Sequence, residues 1–209
     1  MRTLSIICGV LLLGLSSVFA ADTKELTSML TTGDFVIVFR HGATDDGQKD
    51  VYPFRFDDMT AQRQLSEKGK ETARQIGSAL KALAIPVGDV FTSKLRRAIE
   101  MGELLSGKKV VGLDALTDSS AGSASAMANP SGVNTELGLA VRNLVNTAPK
   151  TATNTLLVTH KTNFTDAFGK EASDVQEAEA FVYKPSSSGP AIFIGRVKAA
   201  DWSSQTANK

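Results

Sequence analysis

The chain has 209 residues, enough for one domain with a full core and too few for two of ordinary size. Apolar residues make up 42% and charged residues 22%, which are ordinary globular values. The formal net charge is +1 and no block of Lys or Arg occurs, which excludes a general nucleic-acid surface; an anionic substrate would have to be met by a local cluster of cations.

Residues 1–20 read as a secretory signal rather than as part of the fold. Arg2 supplies a short positive start, Leu4 to Val18 carries no charge, and Val18-Phe19-Ala20 places small residues where a signal peptidase cleaves. The competing reading, a retained anchor, needs about 20 apolar residues, and this run is shorter. The single cysteine, Cys8, falls inside the signal with too little apolar sequence before it for a lipoprotein. The mature chain from Ala21 is therefore expected to have no disulfide, no cysteine metal ligand and no membrane span, and to act in the periplasm or outside the cell.

Lys24 to Thr32 reads as a short helix closed by Gly33, and Phe35 to Phe39 as a strand buried on both faces. Ala43 to Gln64 is polar and aperiodic, a surface loop. Ser66 caps a helix with Ala73, Ile76, Leu80 and Leu83 on one stripe, ending before Pro86. A strand over Val90 to Thr92, a helix over Lys94 to Leu105 and a strand over Lys109 to Val111 follow. Ser119 to Gly132 is a loop rich in Ala, Ser and Gly. Asn134 to Val145 is helical, Thr155 to Thr159 is a buried strand and Phe164 to Phe168 a short helix. Ala180 to Tyr183 and Ile192 to Val197 are the last strands, and Ser203 to Lys209 is expected to be a disordered tail after a domain spanning 21–202. Strands alternate with helices, so the expected fold class is α/β with a mostly parallel sheet.

The chain contains only two histidines, and each directly follows a predicted buried strand, at the sheet edge where open α/β sheets bind ligands. A lone histidine in such a place is usually a satisfied core residue; two at equivalent strand ends are harder to read that way. Arg40 precedes His41, and Gly42 after it allows a sharp turn and a close ligand. Ser93 ends a third strand, with Arg97 one turn into the next helix. Two imidazoles and two guanidiniums thus converge on one edge, an arrangement suited to an anion. The competing reading pairs each arginine with a surface carboxylate. It fits Arg74 and Arg96 well, and Arg40 less well.

These segments resemble the histidine phosphatase superfamily, of the phosphoglycerate mutase-like fold. Phe39-Arg40-His41-Gly42-Ala43-Thr44 is similar to its Arg-His-Gly signature, Leu65-Ser66-Glu67-Lys68-Gly69 to the opening of its next helix, Thr92 to Ala98 to its Ser-x-Leu-x-Arg-Ala segment, and Val158-Thr159-His160 to the strand carrying its second histidine. His160-Lys161-Thr162-Asn163 and Thr44-Asp45 with Gln48 are closer to small exported bacterial members. The resemblance implies a three-layer α/β sandwich and a phosphate-monoester hydrolase that needs no cofactor and no metal. Its substrate would be a phosphorylated small molecule or an envelope component. His41 would be the nucleophile. Arg40, Arg97 and a protonated His160 would neutralise the phosphoryl oxygens. Gly42, Thr44, Lys161 and Asn163 would lie on the phosphate or substrate, although Lys161 could equally be a solvated lysine and Asn163 a helix cap.

The leaving alkoxide needs a proton, and the acidic motif of the mutase members is missing. Asp118 is the nearest positional candidate and Glu179 the alternative; either could instead be a solvated loop carboxylate. Two other readings stay open: a non-catalytic phosphate-binding module of the same fold, and a phosphomutase, against which the signal peptide weighs.

Overall fold

The computed structural model describes residues 22–117 and 135–206. The signal reading (1–20), the loop over Ser119 to Gly132 and the end of the tail (207–209) lie outside the described residues. In chain order the elements are α1 (Thr23–Leu30), β1 (Val36–Arg40), α2 (Glu67–Ala82), β2 (Val87–Thr92), α3 (Arg96–Ser106), β3 (Val111–Gly112), α4 (Thr135–Val145), β4 (Asn154–Thr159), α5 (Lys161–Phe168), β5 (Ala180–Lys184), β6 (Ile192–Val197) and α6 (Ala199–Thr206). Among the described residues no helix is long and apolar enough to cross a membrane.

The strands form one sheet in the order β3-β2-β4-β1-β5-β6. The first four run parallel; β5 pairs antiparallel with both β1 and β6. The expected mostly parallel α/β sheet is present, covered on both faces as a three-layer sandwich. Alternation along β1 explains the layers. Ile37 and Phe39 face a core shared with α1, α2, α3 and α6, whereas Val36 and Val38 face a core shared with α4 and α5. All six residues of β4 are buried, as a strand inside a parallel sheet requires.

Local chemistry sets the ends of the helices. Ser66 Oγ accepts the Gly69 N–H at 3.1 Å and opens α2, and Gly107 at φ 66° closes α3. α3 begins at Arg96, two residues later than the pattern predicts, and α5 begins at Lys161, three earlier. The expected tail is helical through Thr206: α6 packs on α2 and buries Trp202 completely, with its ring 6.0 Å from that of Phe39. At the amino-terminal ends of the strands, the buried Asn154 side chain ties three segments together. Its Nδ2 donates to the Leu30 carbonyl (2.8 Å) and the Pro86 carbonyl (3.0 Å), and its Oδ1 accepts the Phe35 N–H (3.2 Å).

Candidate active site

β1 and β4 are parallel neighbours with Arg40 opposite Thr159, so the residues that follow them leave the sheet side by side. The His41 N–H donates to the Thr159 carbonyl at 2.9 Å, and the two imidazole rings lie 5.1 Å apart, nearly edge to face. β2 adds Ser93, whose N–H donates to the Val158 carbonyl at 2.9 Å and whose Oγ lies 2.8 Å from His160 Nε2. Both histidines are buried.

The tautomer of His41 follows from its partner. Its Nδ1 lies 2.8 Å from the Gly42 carbonyl, which can only accept, so Nδ1 carries the proton and Nε2 keeps its lone pair. His160 is arranged the other way about: Nε2 is engaged by Ser93, and Nδ1 is buried with no hydrogen-bond partner among the described residues. Buried polar atoms without partners are costly in a stable site. The Nε atoms of Arg40 and Arg63 are in the same condition. Guanidinium N–H groups left without partners beside the His160 ring are suited to receive an oxyanion.

The charges agree with this geometry. The His41 imidazole is held well below its ordinary 6.5 by burial first, then by His160, Arg97 and Arg40; its bond to Gly42 opposes the shift. His160 is likewise held well below 6.5, by burial and then by Arg97, Arg63 and Arg40. Both rings are thus biased toward the neutral form, and the protonated His160 that the resemblance implies belongs to the phosphate-bound site. The sign of the pH dependence follows. Between the lowered folded value and 6.5 the unfolded chain binds more protons, so stability falls as pH drops through 6.5. The slope approaches about 1.4 kcal/mol per pH unit for each histidine. Denaturant unfolding at pH 7.5 and 5.5 in a chloride buffer checks this, and a flat profile would show that the rings titrate alike in the folded and unfolded chain.

The other sequence-predicted residues divide. Arg97 is 1% exposed and reaches the site, but its Nη1 already pairs with Asp50 Oδ1 at 2.9 Å. Arg40 donates from Nη1 to the Val175 carbonyl at 2.9 Å, and its Nη2 lies 3.7 Å from Glu177. Arg74 and Arg96 pair with Glu71 and Glu103, as the surface reading expects. Gly42 makes no left-handed turn; a Cβ there would lie 3.2 Å from the Gly69 carbonyl, so close packing against α2 is the constraint. Thr44 bridges to Leu65 and lines an open cleft with Asp45, Gln64 and Lys68, to one side of the histidines. Lys161 is exposed on the first turn of α5. Asn163 does not cap that helix; its Nδ2 donates to the Thr117 carbonyl at 3.1 Å.

Neither acid candidate is brought to the histidines by the described structure. Asp118 lies outside the described residues. Glu179 is fully buried, but both carboxylate oxygens bond to Arg196 at 2.9 Å, and one also accepts the Gln176 N–H. It is a structural ion pair on the β6 side. Sequence reasoning missed Asp50 and Arg63, which come from the aperiodic loop after β1: Asp50 Oδ1 accepts the Arg63 N–H at 2.9 Å as well as pairing with Arg97. No periodicity marks either residue. Ser93 was legible only as a strand end.

The family model for the histidine phosphatase superfamily (branch 1) matches residues 36–130, from β1 past β3. Over that stretch the chain is similar to the histidine phosphatase superfamily. Solved structures of similar fold include Bacillus stearothermophilus YhfR, at 16% identity and a TM-score of 0.55 over 79% of this chain and 98% of that one. A phosphoserine phosphatase mutant from Entamoeba histolytica in complex with phosphoserine gives 14% identity and a TM-score of 0.52, covering 80% and 98%. The protein histidine phosphatase SixA complexed with tungstate gives 17% and 0.51, also covering 80% and 98%. At such identities the likeness is one of fold. No curated protein matches the chain. The segments that carried the resemblance in sequence lie at the carboxyl ends of β1, β2 and β4 and at the start of α2.

Proposed function

We propose that this protein is a phosphate-monoester hydrolase that works through a phosphohistidine on His41 and needs no metal. The observation that carries the reading is the Nδ1 bond of His41 to the Gly42 carbonyl, which leaves a neutral Nε2 lone pair inside a pocket of buried cations. A nucleophile must be unprotonated, and a phosphate ester must be neutralised before it can be attacked.

A bound dianion would raise the proton affinity of His160, whose Nδ1 would then donate to a phosphoryl oxygen alongside the Arg40, Arg63 and Arg97 guanidiniums. Arg97 would exchange its Asp50 contact for the substrate. His41 Nε2 forms a bond to phosphorus as the P–O ester bond breaks, and the alkoxide leaves with the electron pair and takes a proton from solvent water. Water then attacks the phosphorus, the N–P bond breaks, and inorganic phosphate is released with His41 restored.

One observation favours a second reading. With Glu179 committed to Arg196, that acid candidate does not stand ready to protonate an alkoxide, as in a module that binds phosphate without turning it over. Rapid mixing with p-nitrophenyl phosphate in chelator separates the two. A burst of nitrophenol matched by one phosphoryl group per chain supports the hydrolase; saturable phosphate or vanadate binding with no burst supports the module.

We also propose that the reaction takes place after export, on the strength of the charge-free Leu4 to Val18 run and the small residues ending at Ala20. Protein recovered from the periplasm should begin at Ala21. Recovery of the intact amino terminus from the cytoplasm would overturn this.

A further inference from the structure

We propose that the aromatic row Tyr52, Phe54 and Phe56 binds the leaving group of the ester, and that the protein selects monoesters of flat aromatic alcohols. The inference rests on the hydrolase reading for its reaction and on separate residues for its specificity.

The three rings lie in a row along the bent segment 52–56. Neighbouring ring centroids are 5.9 and 6.2 Å apart. The row is attached to the anion pocket at both ends. Two residues before Tyr52, Asp50 touches Arg97. At the other end Lys94 Nζ lies 5.9 Å from the centre of the Phe56 ring, and Lys94 directly follows the Ser93 that engages His160. Buried Gln62 holds the stretch in place. Its Nε2 donates to the Arg55 and Phe56 carbonyls (3.0 and 2.8 Å), while its Oε1 accepts the Arg96 N–H (2.9 Å) at the start of α3.

Despite this support the surface is left open. Tyr52 is 60% and Phe56 39% exposed, and with Val51 and Met59 they supply four of the eight large apolar side chains exposed among the described residues. A scatter of single exposed apolar residues is ordinary, whereas such a concentration beside a site marks a binding surface.

Two observations choose an aromatic alcohol over a lipid. Asp45, Asp46 and Asp57 are exposed on the same loop and outnumber its exposed cations, Lys49 and Arg55, so an anionic membrane surface gains no net attraction there. Glu179 is locked to Arg196, and a phenolate, being a stable anion, departs from phosphorus without a strong proton donor. Stacked and edge-to-face rings then supply the affinity.

The test compares phenylphosphonate with methylphosphonate, neither of which can be hydrolysed, on the purified protein and on the exposed-residue double variant Tyr52→Ala/Phe56→Ala. Wild type should bind phenylphosphonate about tenfold tighter. The double variant should lose that preference while keeping methylphosphonate affinity within about twofold. An unchanged preference in the variant, no preference in wild type, equal weakening of both ligands, or no binding of either would overturn the proposal. Turnover of 1-naphthyl phosphate is followed alongside. Ring preference without turnover of any ester leaves the platform standing and removes the hydrolase; turnover of aryl and alkyl esters without ring preference does the reverse.

Discussion

Replacing His41 with alanine is expected to lower turnover of p-nitrophenyl phosphate on the order of 10⁴-fold or more, while phosphate still binds within a few-fold of wild type. The two effects separate because His41 supplies the attacking lone pair, whereas the guanidiniums and His160 supply most of the attraction for the anion. Burial and the neighbouring cations already keep His41 neutral, so its removal takes away no charge that the phosphate needs. In wild type, the trapped phosphoenzyme should be labile in acid and stable in base, as an N–P bond is and a phosphoserine is not; in the variant it should be absent. Steady-state turnover with vanadate or phosphate titration measures both halves. Equal loss of turnover and binding would mean that the ring chiefly props the pocket open, and persisting turnover would move the nucleophile elsewhere.

Gly69→Ala should destabilise the protein by about 2 kcal/mol or more, against the roughly 1 kcal/mol gain that alanine brings to an unconstrained helix position. A Cβ at residue 69 would lie 2.1 Å from the Ala43 carbonyl oxygen and 3.0 Å from the carbonyl carbon. Both are backbone atoms, so no side chain can rotate to make room. That carbonyl also accepts the Ser66 N–H at 3.0 Å, which fixes the loop to the first turn of α2. The expected fall in Tm is roughly 4–8 °C. Activity should fall as well, since Ala43 follows the Gly42 whose carbonyl sets the His41 tautomer. A rise in Tm would show that the helix can slide away from the loop at little cost.

Much of the site was legible because it hangs on strands. A continuous apolar run such as Val36 to Phe39, or Thr155 to Val158, announces a buried strand, and whatever polar residue ends it must emerge at the sheet edge. That logic located His41, His160 and Ser93 and brought Arg97 near them. It failed where position along the chain and position in space part company. Glu179 directly precedes β5, yet β5 runs antiparallel and its side chain turns to Arg196 on β6. Asp50 and Arg63 reach the pocket from a loop whose path is set by long-range hydrogen bonds, and no local pattern encodes that path. The push of burial and three guanidiniums against protonation of His160 was out of reach for a related reason: it depends on distances that spacing does not give. The last helix escaped notice because its reason to form, the burial of Trp202 beside Phe39, is tertiary.

The Asn154 side chain sits at the end of the sheet away from the histidines, where it fastens the close of α1, the entry to β1 and the approach to β2. The molecule thus has a chemical pole and a fastening pole joined by the stiff length of β4. Changes at the fastening pole alter how many molecules are folded at any moment, while each folded molecule still works at full speed. Changes at the chemical pole alter the speed of every molecule and need not alter their number. A population under selection can therefore tune abundance and catalytic rate through separate sets of residues. In an activity screen the two kinds of variant would look alike until the amount of folded protein is counted.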